Sequence, residues 1–298
     1  MLAFACWITA ALPVLAREAR HAAYDAMVQP AGAPPVRLHV EEWGSGPPLL
    51  LLHGLGASTY TWRRIAPALG RRHRVIALDL RGFGKSDKPF DQLYGAADQA
   101  RHVVDFIRRS GLGHIDLAGH SFGGAVALLV TLELNRSKPG TVRRLVVMDA
   151  PAFPQDPTAF VSFLQQPVLP YAVLTLLPPE LPTSLAISNE RKSGGADAED
   201  VANYARPYYE AGARHALIAT ARHIVPPDWR RIVARYRSIR QPTLVVWCDH
   251  DHVVPLSTGQ RLAKALPRGR LAIVRGCEHS PQDERPEALL PLLTAFLR

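Results

Sequence analysis

Residues 114–124 read His-Ile-Asp-Leu-Ala-Gly-His-Ser-Phe-Gly-Gly and are the most informative part of the chain. The run begins as a short apolar segment, typical of a strand covered on both faces, and the form Gly119-x-Ser121-x-Gly123 follows where a helical pattern begins. A serine hydroxyl is a useful nucleophile when it projects from a tight strand-to-helix turn, which flanking glycines permit. Ser121 is therefore the candidate nucleophile, and an ordinary serine in a glycine-rich turn is the alternative interpretation.

A nucleophilic serine needs a base and an orienting acid, and for this kind of turn the chain order is serine, acid, histidine. His279 follows an apolar strand pattern that ends at Val274, so it is expected on a loop. The segment after the preceding strand pattern contains two acids, Asp249 and Asp251. Spacing alone does not separate these two candidates.

Further short apolar runs lie on both sides of the serine turn, and helical patterns lie between them. The predicted strands are 36–43, 48–52, 74–79, 142–148, 243–247 and 271–274, and the predicted helices include 98–109, 125–134 and 286–297. This alternation predicts an α/β fold with a mainly parallel sheet and helices on both faces. The glycines at 44 and 46 predict that the first two strands form a hairpin.

Residues 151–240 interrupt the alternation, because they contain proline-punctuated helical pieces and no strand pattern. Ninety residues are too many for a plain connection. We interpret them as a helical cap, inserted after the sixth strand, over the sheet edge where open α/β sheets bind ligands. The predicted organisation is an N-terminal segment and linker at 1–34, a core at 35–150 and 241–298, and the cap at 151–240.

The cap is unusually poor in charge at its start, since residues 152–189 carry only Asp156 and Glu180. A cap segment with so few charges suits a substrate that has an apolar acyl or aromatic group. The alternative interpretation is that these side chains only pack the cap helices together.

Composition limits the classes of function that remain. The chain of 298 residues is 47% hydrophobic, which excludes general disorder, and its 35 basic and 26 acidic side chains give a net charge of +9. The arginines are scattered and no aromatic side chains are interleaved with them, which argues against nucleic-acid binding.

Cysteine and histidine spacing predicts neither a metal site nor a disulfide. His250 and His252 lack both the helical spacing and the cysteine pair of zinc sites. Cys248 and Cys277 follow successive strand patterns, and we expect two small buried thiols in preference to a bridge.

The first sixteen residues carry no charge, and as a helix they would extend about 24 Å, less than a bilayer core of about 30 Å. A stable membrane span is therefore not expected. The segment has the apolar centre and small-residue end of an export signal but no positive start. Export at 1–16 and a helix lying on the domain are equal alternatives, so localisation stays open, as does the oligomeric state.

Several ordered motifs make residues 36–298 resemble the α/β-hydrolase superfamily, in particular its capped serine esterases. The motifs are His53-Gly54, the turn at 79–87, the serine turn, Asp251-x-Val-Val-Pro, and the loop at His279. The resemblance implies Asp251 as the acid and His279 as the general base. Asp149, where some relatives place their acid, and Asp249 stay as alternatives. Glu278 stands where the family commonly has glycine, and we expect its side chain to point to solvent.

The resemblance also implies the remaining parts of the site. The backbone N–H groups of Leu55 and Phe122 are expected to form an oxyanion hole, and His53 to brace the loop that contains Leu55. Gly54 supports the same loop, and Gly119 and Gly123 support the serine turn.

The predicted function is hydrolysis of carboxylic esters of apolar acyl or aromatic groups through an acyl-enzyme, with no cofactor and no metal. Ser121 argues against relatives whose nucleophile is aspartate, the haloalkane dehalogenases and epoxide hydrolases. Carbon–carbon bond hydrolases, thioesterases and lactonases of the same fold remain alternatives. A member that binds a small-molecule ligand without hydrolysing it is the alternative outside enzymology.

Overall fold

The computed structural model describes residues 20–191 and 197–298. The possible export signal at 1–16 lies outside the described residues. No helix within these two ranges has the length and hydropathy that a membrane span requires.

Eight strands form one sheet in the order β1-β2-β4-β3-β5-β6-β7-β8. They are His21–Val28 (β1), Val36–Trp43 (β2), Pro48–Leu52 (β3), Arg74–Leu78 (β4), Ile115–His120 (β5), Val142–Met148 (β6), Thr243–Cys248 (β7) and Gly269–Val274 (β8). The pairs β1-β2 and β2-β4 are antiparallel and all other neighbours are parallel. The prediction of a mainly parallel sheet is confirmed.

Two details of the first strands differ from the sequence prediction. The strands β2 and β3 are not a hairpin, because β4 lies between them. The leucines at 49–52 are fully buried, so β3 takes a central position with parallel neighbours on both sides. The true hairpin is β1-β2, and β1 occupies residues that we assigned to a linker. Most side chains of this edge strand are exposed, so no apolar run marks it.

Twelve helices accompany the sheet in the described part of the chain. They are Ala66–Leu69 (α1), Ala96–Arg109 (α2), Phe122–Ser137 (α3), Ala159–Leu164 (α4), Leu169–Leu176 (α5), Glu180–Glu190 (α6), Ala198–Ala205 (α7), Ala213–Arg222 (α8), Trp229–Arg235 (α9), Leu256–Ala265 (α10), Pro281–Glu284 (α11) and Pro286–Phe296 (α12). Short 3-10 helices cover Thr59–Trp62, Arg206–Tyr209 and Tyr236–Ser238. The helices α4 to α9 all follow β6, and the described residues between β6 and β7 contain no strand. The predicted helical insertion after the sixth strand is confirmed.

Apolar layers cover both faces of the sheet. One contains side chains of α2 and α3, and the other contains Trp62, Ile65 and side chains of α12. The helix α3 is buried nearly all round, as its continuous apolar pattern predicts. Because α3 is fixed in the core, the serine at its N-terminus is held at the carboxyl edge of the sheet.

A buried ionic cluster fastens the cap to the core. Asp283 of α11 is 1% exposed, and its carboxylate accepts hydrogen bonds from Arg191 at 2.7 Å and Tyr204 at 2.5 Å, both in the cap. Arg63 of the core pairs with Asp283 and also with Asp200 of α7. Buried charges are stable only when they are paired, so these contacts tie α6 and α7 to one side of the sheet edge.

Candidate active site

The serine turn has the strained backbone that its sequence predicts. Ser121 lies between β5 and α3 with φ 50° and ψ −123°, a conformation that L-residues rarely adopt. A Cβ atom on Gly119 would overlap the carbonyl oxygen of Gly123, and one on Gly123 would overlap the carbonyl oxygen of Leu52. Both flanking glycines are therefore required for the chain to turn here.

His279 lies between Ser121 and Asp251. Its Nε2 is 3.1 Å from the Ser121 hydroxyl oxygen, and its Nδ1 is 2.9 Å from Asp251 Oδ2. The other oxygen of Asp251 accepts the backbone N–H groups of Val253 and Val254 at 2.7 and 2.8 Å. The Nδ1–H of His279 donates to Asp251, which leaves the Nε2 lone pair toward the serine hydroxyl.

The two alternative acids have other partners. Asp149 is buried at the end of β6, and its Oδ1 accepts the backbone N–H of Cys248 at 2.8 Å. Burial and the nearby charge of Asp251 raise the pKa of Asp149 well above its usual range. The Oδ1 of Asp249 accepts the backbone N–H groups of Gly276 and Cys277 at 2.9 and 3.3 Å. Of the three candidates, Asp251 is the one whose carboxylate contacts His279.

The surroundings of His279 favour its protonated form. Burial acts to lower its pKa, but the charges of Asp251, Glu190 and Glu284 act in the opposite direction and outweigh it. The pKa of His279 therefore lies above the ordinary value of 6.5. The carboxylates that stabilise the protonated imidazole of His279 thereby increase its affinity for a proton.

Two backbone amides beside the serine are available to an oxyanion. Leu55 and Phe122 line the cavity that contains Ser121. Within the described residues, neither backbone N–H donates a hydrogen bond to another protein group. Unpaired donors next to a nucleophile are what an oxyanion hole provides.

His53 links the loop of Leu55 to the core. Its Nε2 accepts the backbone N–H of Leu80 at 2.9 Å, so the proton resides on Nδ1, which donates to the carbonyl oxygen of Gly54 at 2.8 Å. Burial lowers the pKa of His53, which keeps the ring neutral. These bonds hold Gly54 in place directly before Leu55.

Two further side chains contact the site and were not predicted from the sequence. His120 is kept neutral because burial lowers its pKa, and its Nε2–H donates to the carbonyl oxygen of His279 at 2.8 Å. Tyr208 of the cap donates its hydroxyl to the carbonyl oxygen of Gly56 at 3.1 Å, next to Leu55. The position of His120 inside the serine turn was the only available signal, and nothing in the sequence connects residue 208 to residue 56.

A cavity of about 190 Å³ lies between the cap and the sheet edge and includes Ser121 and His279. Its apolar wall contains Phe153, Phe160, Val161, Leu174 and Ile187. The lining also includes polar cap residues, which are Asn189, Glu190, Arg191, Tyr208 and Arg214, and apolar residues from later in the cap, such as Leu217 and Trp229. The charge-poor start of the cap thus supplies only part of the cavity lining.

Two expectations about the segment before His279 are wrong. Cys248 and Cys277 form a disulfide, with Cα atoms 4.8 Å apart, because the end of β7 and the loop after β8 lie side by side. Glu278 does not point to solvent, since it is only 7% exposed. Residues 277–280 of this turn are buried, and Gly276 is exposed.

A family model described as the alpha/beta hydrolase fold matches residues 47–286. The chain belongs to the α/β-hydrolase family. The resemblance inferred from the motifs is thereby confirmed, and membership places the chain among hydrolases.

Individual relatives cover more than one kind of hydrolysis. The chain is 30% identical over 276 residues to a 2-hydroxy-6-oxo-2,4-heptadienoate hydrolase of Pseudomonas putida, a match that covers 88% of this chain and 93% of the relative. A meta-cleavage product hydrolase of Pseudomonas fluorescens is similar in structure, with 25% identity, a TM-score of 0.73 and coverage of 91% of this chain and 97% of that one. A thermophilic esterase from Thermogutta terrifontis has the same fold, with 21% identity, a TM-score of 0.73 and coverage of 92% and 98%.

Proposed function

We propose that the protein is a serine hydrolase that cleaves carboxylic esters of apolar acyl or aromatic groups. One observation carries this proposal. Ser121, His279 and Asp251 form a continuous chain of contacts, at 3.1 and 2.9 Å, inside a cavity under the cap. This is the geometry in which a base can deprotonate a serine and an acid can orient the base.

The reaction begins when His279 Nε2 takes the proton of Ser121 as the hydroxyl oxygen attacks the ester carbonyl carbon. The negative oxygen that forms accepts the N–H groups of Leu55 and Phe122, and one such donor typically contributes about 3 kcal/mol to transition-state stabilisation. His279 then donates its proton to the departing alkoxide, which leaves an acyl ester on Ser121. Asp251 stabilises the charged imidazole at each of these stages.

Water completes the cycle by the reverse sequence. His279 deprotonates a water molecule, the hydroxide adds to the acyl carbon, and the second tetrahedral intermediate collapses. The carboxylic acid leaves and the proton returns to Ser121. The side chains of this chain supply every proton transfer in this scheme.

The apolar wall of the cavity supports the choice of substrate class. Phe153, Phe160 and Leu174 can cover an acyl chain or an aromatic ring and remove it from water. Burial of apolar area contributes about 25 cal/mol per Å², so each added methylene should improve binding until the cavity is filled.

Carbon–carbon bond hydrolysis is the second candidate. It is supported by the 30% identity to a dienoate hydrolase and by an arginine in the cavity lining, Arg214. An arginine in a cavity wall suits a substrate that carries a carboxylate.

A panel of nitrophenyl esters from acetyl to dodecanoyl, together with 2-hydroxy-6-oxo-2,4-heptadienoate, tests both candidates. We expect the wild-type protein to hydrolyse the esters and S121A to lose at least about 10³-fold of kcat. Turnover of the dienoate alone would favour the second candidate. Wild-type activity in S121A, or no activity on any member of the panel, would contradict the proposal.

A further inference from the structure

The turn that carries His279 is held in an unusual way. Glu284 of α11 accepts three successive backbone N–H groups, those of Glu278 at 2.8 Å, His279 at 2.9 Å and Ser280 at 2.6 Å. Its Oε2 takes the first of these bonds and its Oε1 takes the other two. A single carboxylate thus fixes the backbone on both sides of the histidine.

Asp249 holds the beginning of the same turn. Its Oδ1 accepts the backbone N–H groups of Gly276 and Cys277. Together the two carboxylates bind the five successive N–H groups of residues 276–280. Hydrogen bonds from backbone amides to an ionised carboxylate are stronger than those between neutral groups, so the turn has little freedom.

The opposite side of His279 is also held, since its carbonyl oxygen accepts the Nε2–H of His120. Neither Asp249 nor Glu284 lines the substrate cavity. Both side chains therefore act on the reaction through the backbone that they hold and not by contact with substrate.

We propose that Glu284 and Asp249 are positioning residues for the general base, which fix the turn at 276–280 so that the imidazole meets both Ser121 and Asp251. This inference rests on the proposed function, because it assigns the base role to His279. It also gives Asp249 a function different from that of a catalytic acid. A displacement of about 1 Å in a reacting group can cost about 10²-fold in rate, which is the scale of effect that such a clamp prevents.

Glu284 also acts on the histidine by its charge. The charged groups around His279 are Asp251 after β7, Glu190 at the end of α6 and Glu284 of α11. Burial keeps His120 of β5 neutral, and burial with the charge of Asp251 keeps Asp149, directly after β6, neutral. The charge of Glu284 is one of three that raise the pKa of His279. Removal of that charge should lower the pKa of the histidine and move the acidic limb of the pH profile to lower pH.

Two variants separate the hydrogen bonds from the charge. E284A removes all three acceptors. E284Q keeps one oxygen acceptor but places an amide N–H opposite a backbone N–H, and it removes the charge. E287Q is the matched control, because Glu287 is an exposed carboxylate of α12 that pairs with Arg285.

The measurement is kcat and KM of each variant from pH 5 to 9 on the best ester of the panel, together with Tm. We expect kcat to fall about 10- to 100-fold in E284A and less in E284Q, with KM changed by less than about 2-fold. Both variants should show the acidic limb at lower pH, and E287Q should behave as wild type. D249N should lower kcat without a change in KM.

Wild-type kcat in folded E284A would overturn the inference. A loss of kcat in E284Q with an unmoved acidic limb would also overturn it, because that result describes a merely structural residue. If E284A does not fold, E284Q and D249N decide the question by the same criteria. Failure of the proposed function is a separate result, since it would be visible in the wild-type protein and in S121A.

Discussion

Three aspartates follow strands of the sheet, Asp149 after β6 and both Asp249 and Asp251 after β7. Each carboxylate has a different partner. Asp251 binds the imidazole, Asp249 binds backbone amides, and Asp149 binds one amide while burial and the charge of Asp251 raise its pKa. Sequence spacing left Asp249 and Asp251 equivalent. The distinction depends on which carboxylate faces the His279 imidazole after folding, which is a property of the tertiary structure. Only the family resemblance indicated Asp251 in advance.

Asparagine substitutions at two of these positions should therefore differ strongly in effect. D251N removes the acceptor that orients the imidazole, and kcat should fall about 10³- to 10⁴-fold. D149N should keep kcat within about 3-fold, because asparagine retains the oxygen that accepts the Cys248 N–H and replaces a carboxyl group that burial keeps neutral. Steady-state kinetics on one ester measure kcat of both variants, and an equal loss of kcat in D251N and D149N would contradict the assignment of the acid.

The pH dependence of the wild-type enzyme follows from the same residues. The reaction needs neutral His279, so kcat/KM should rise with pH as the imidazole loses its proton. Since the nearby carboxylates raise the pKa of His279, the midpoint of this rise should lie above 6.5. A pH profile of kcat/KM with a midpoint below 6.5 would show that burial dominates the environment of the ring.

At the scale of elements, β5 and α3 were predictable because their apolar runs and the serine turn are local signals. The edge strand β1 was not, since its exposed side chains carry no apolar pattern. The disulfide was not predictable either, because it depends on two loops that are distant in sequence and adjacent only in the folded sheet. Cys248 precedes the loop of Asp251 and Cys277 precedes His279, so the bridge connects the supports of the acid and the base.

Loss of the bridge should reduce stability. The paired change C248S and C277S opens a link between residues 29 apart, and the free energy of unfolding should fall by about 2–4 kcal/mol. Denaturant unfolding of the wild type and the double variant without reductant measures this difference. Equal stability of the two proteins would mean that the cysteines are not bridged in solution.

At the scale of the whole molecule, the fold brings residues from distant segments to one sheet edge and the cap covers them. The motifs of the core predicted this edge well, because parallel strands all end there. The polar part of the cavity lining was not predictable, since Glu190 and Arg191 reach the cavity through the packing of cap helices against one another and against the core. Substrate selection is thus the property that depends most on tertiary structure.

The attachment of the cap can be tested at Asp283. D283N would remove the buried carboxylate that pairs with Arg191 and leave Arg63 with Asp200 alone, and removal of one partner of a buried pair typically costs about 3–5 kcal/mol. We expect a corresponding loss in the free energy of unfolding and a higher KM, because the cap forms one wall of the cavity. R136A, which removes the ion pair of the exposed Arg136 with Glu133, is the control and should change stability by less than about 1 kcal/mol.

Covalent labelling by a fluorophosphonate, followed by mass spectrometry of the peptides, shows whether Ser121 is an activated nucleophile. We expect a single adduct on the oxygen of residue 121 in the wild-type protein, a much slower reaction in H279A, and none in S121A. A wild-type protein that stays unlabelled, or that carries its adduct on a different residue, would contradict the claim that this serine is an activated nucleophile.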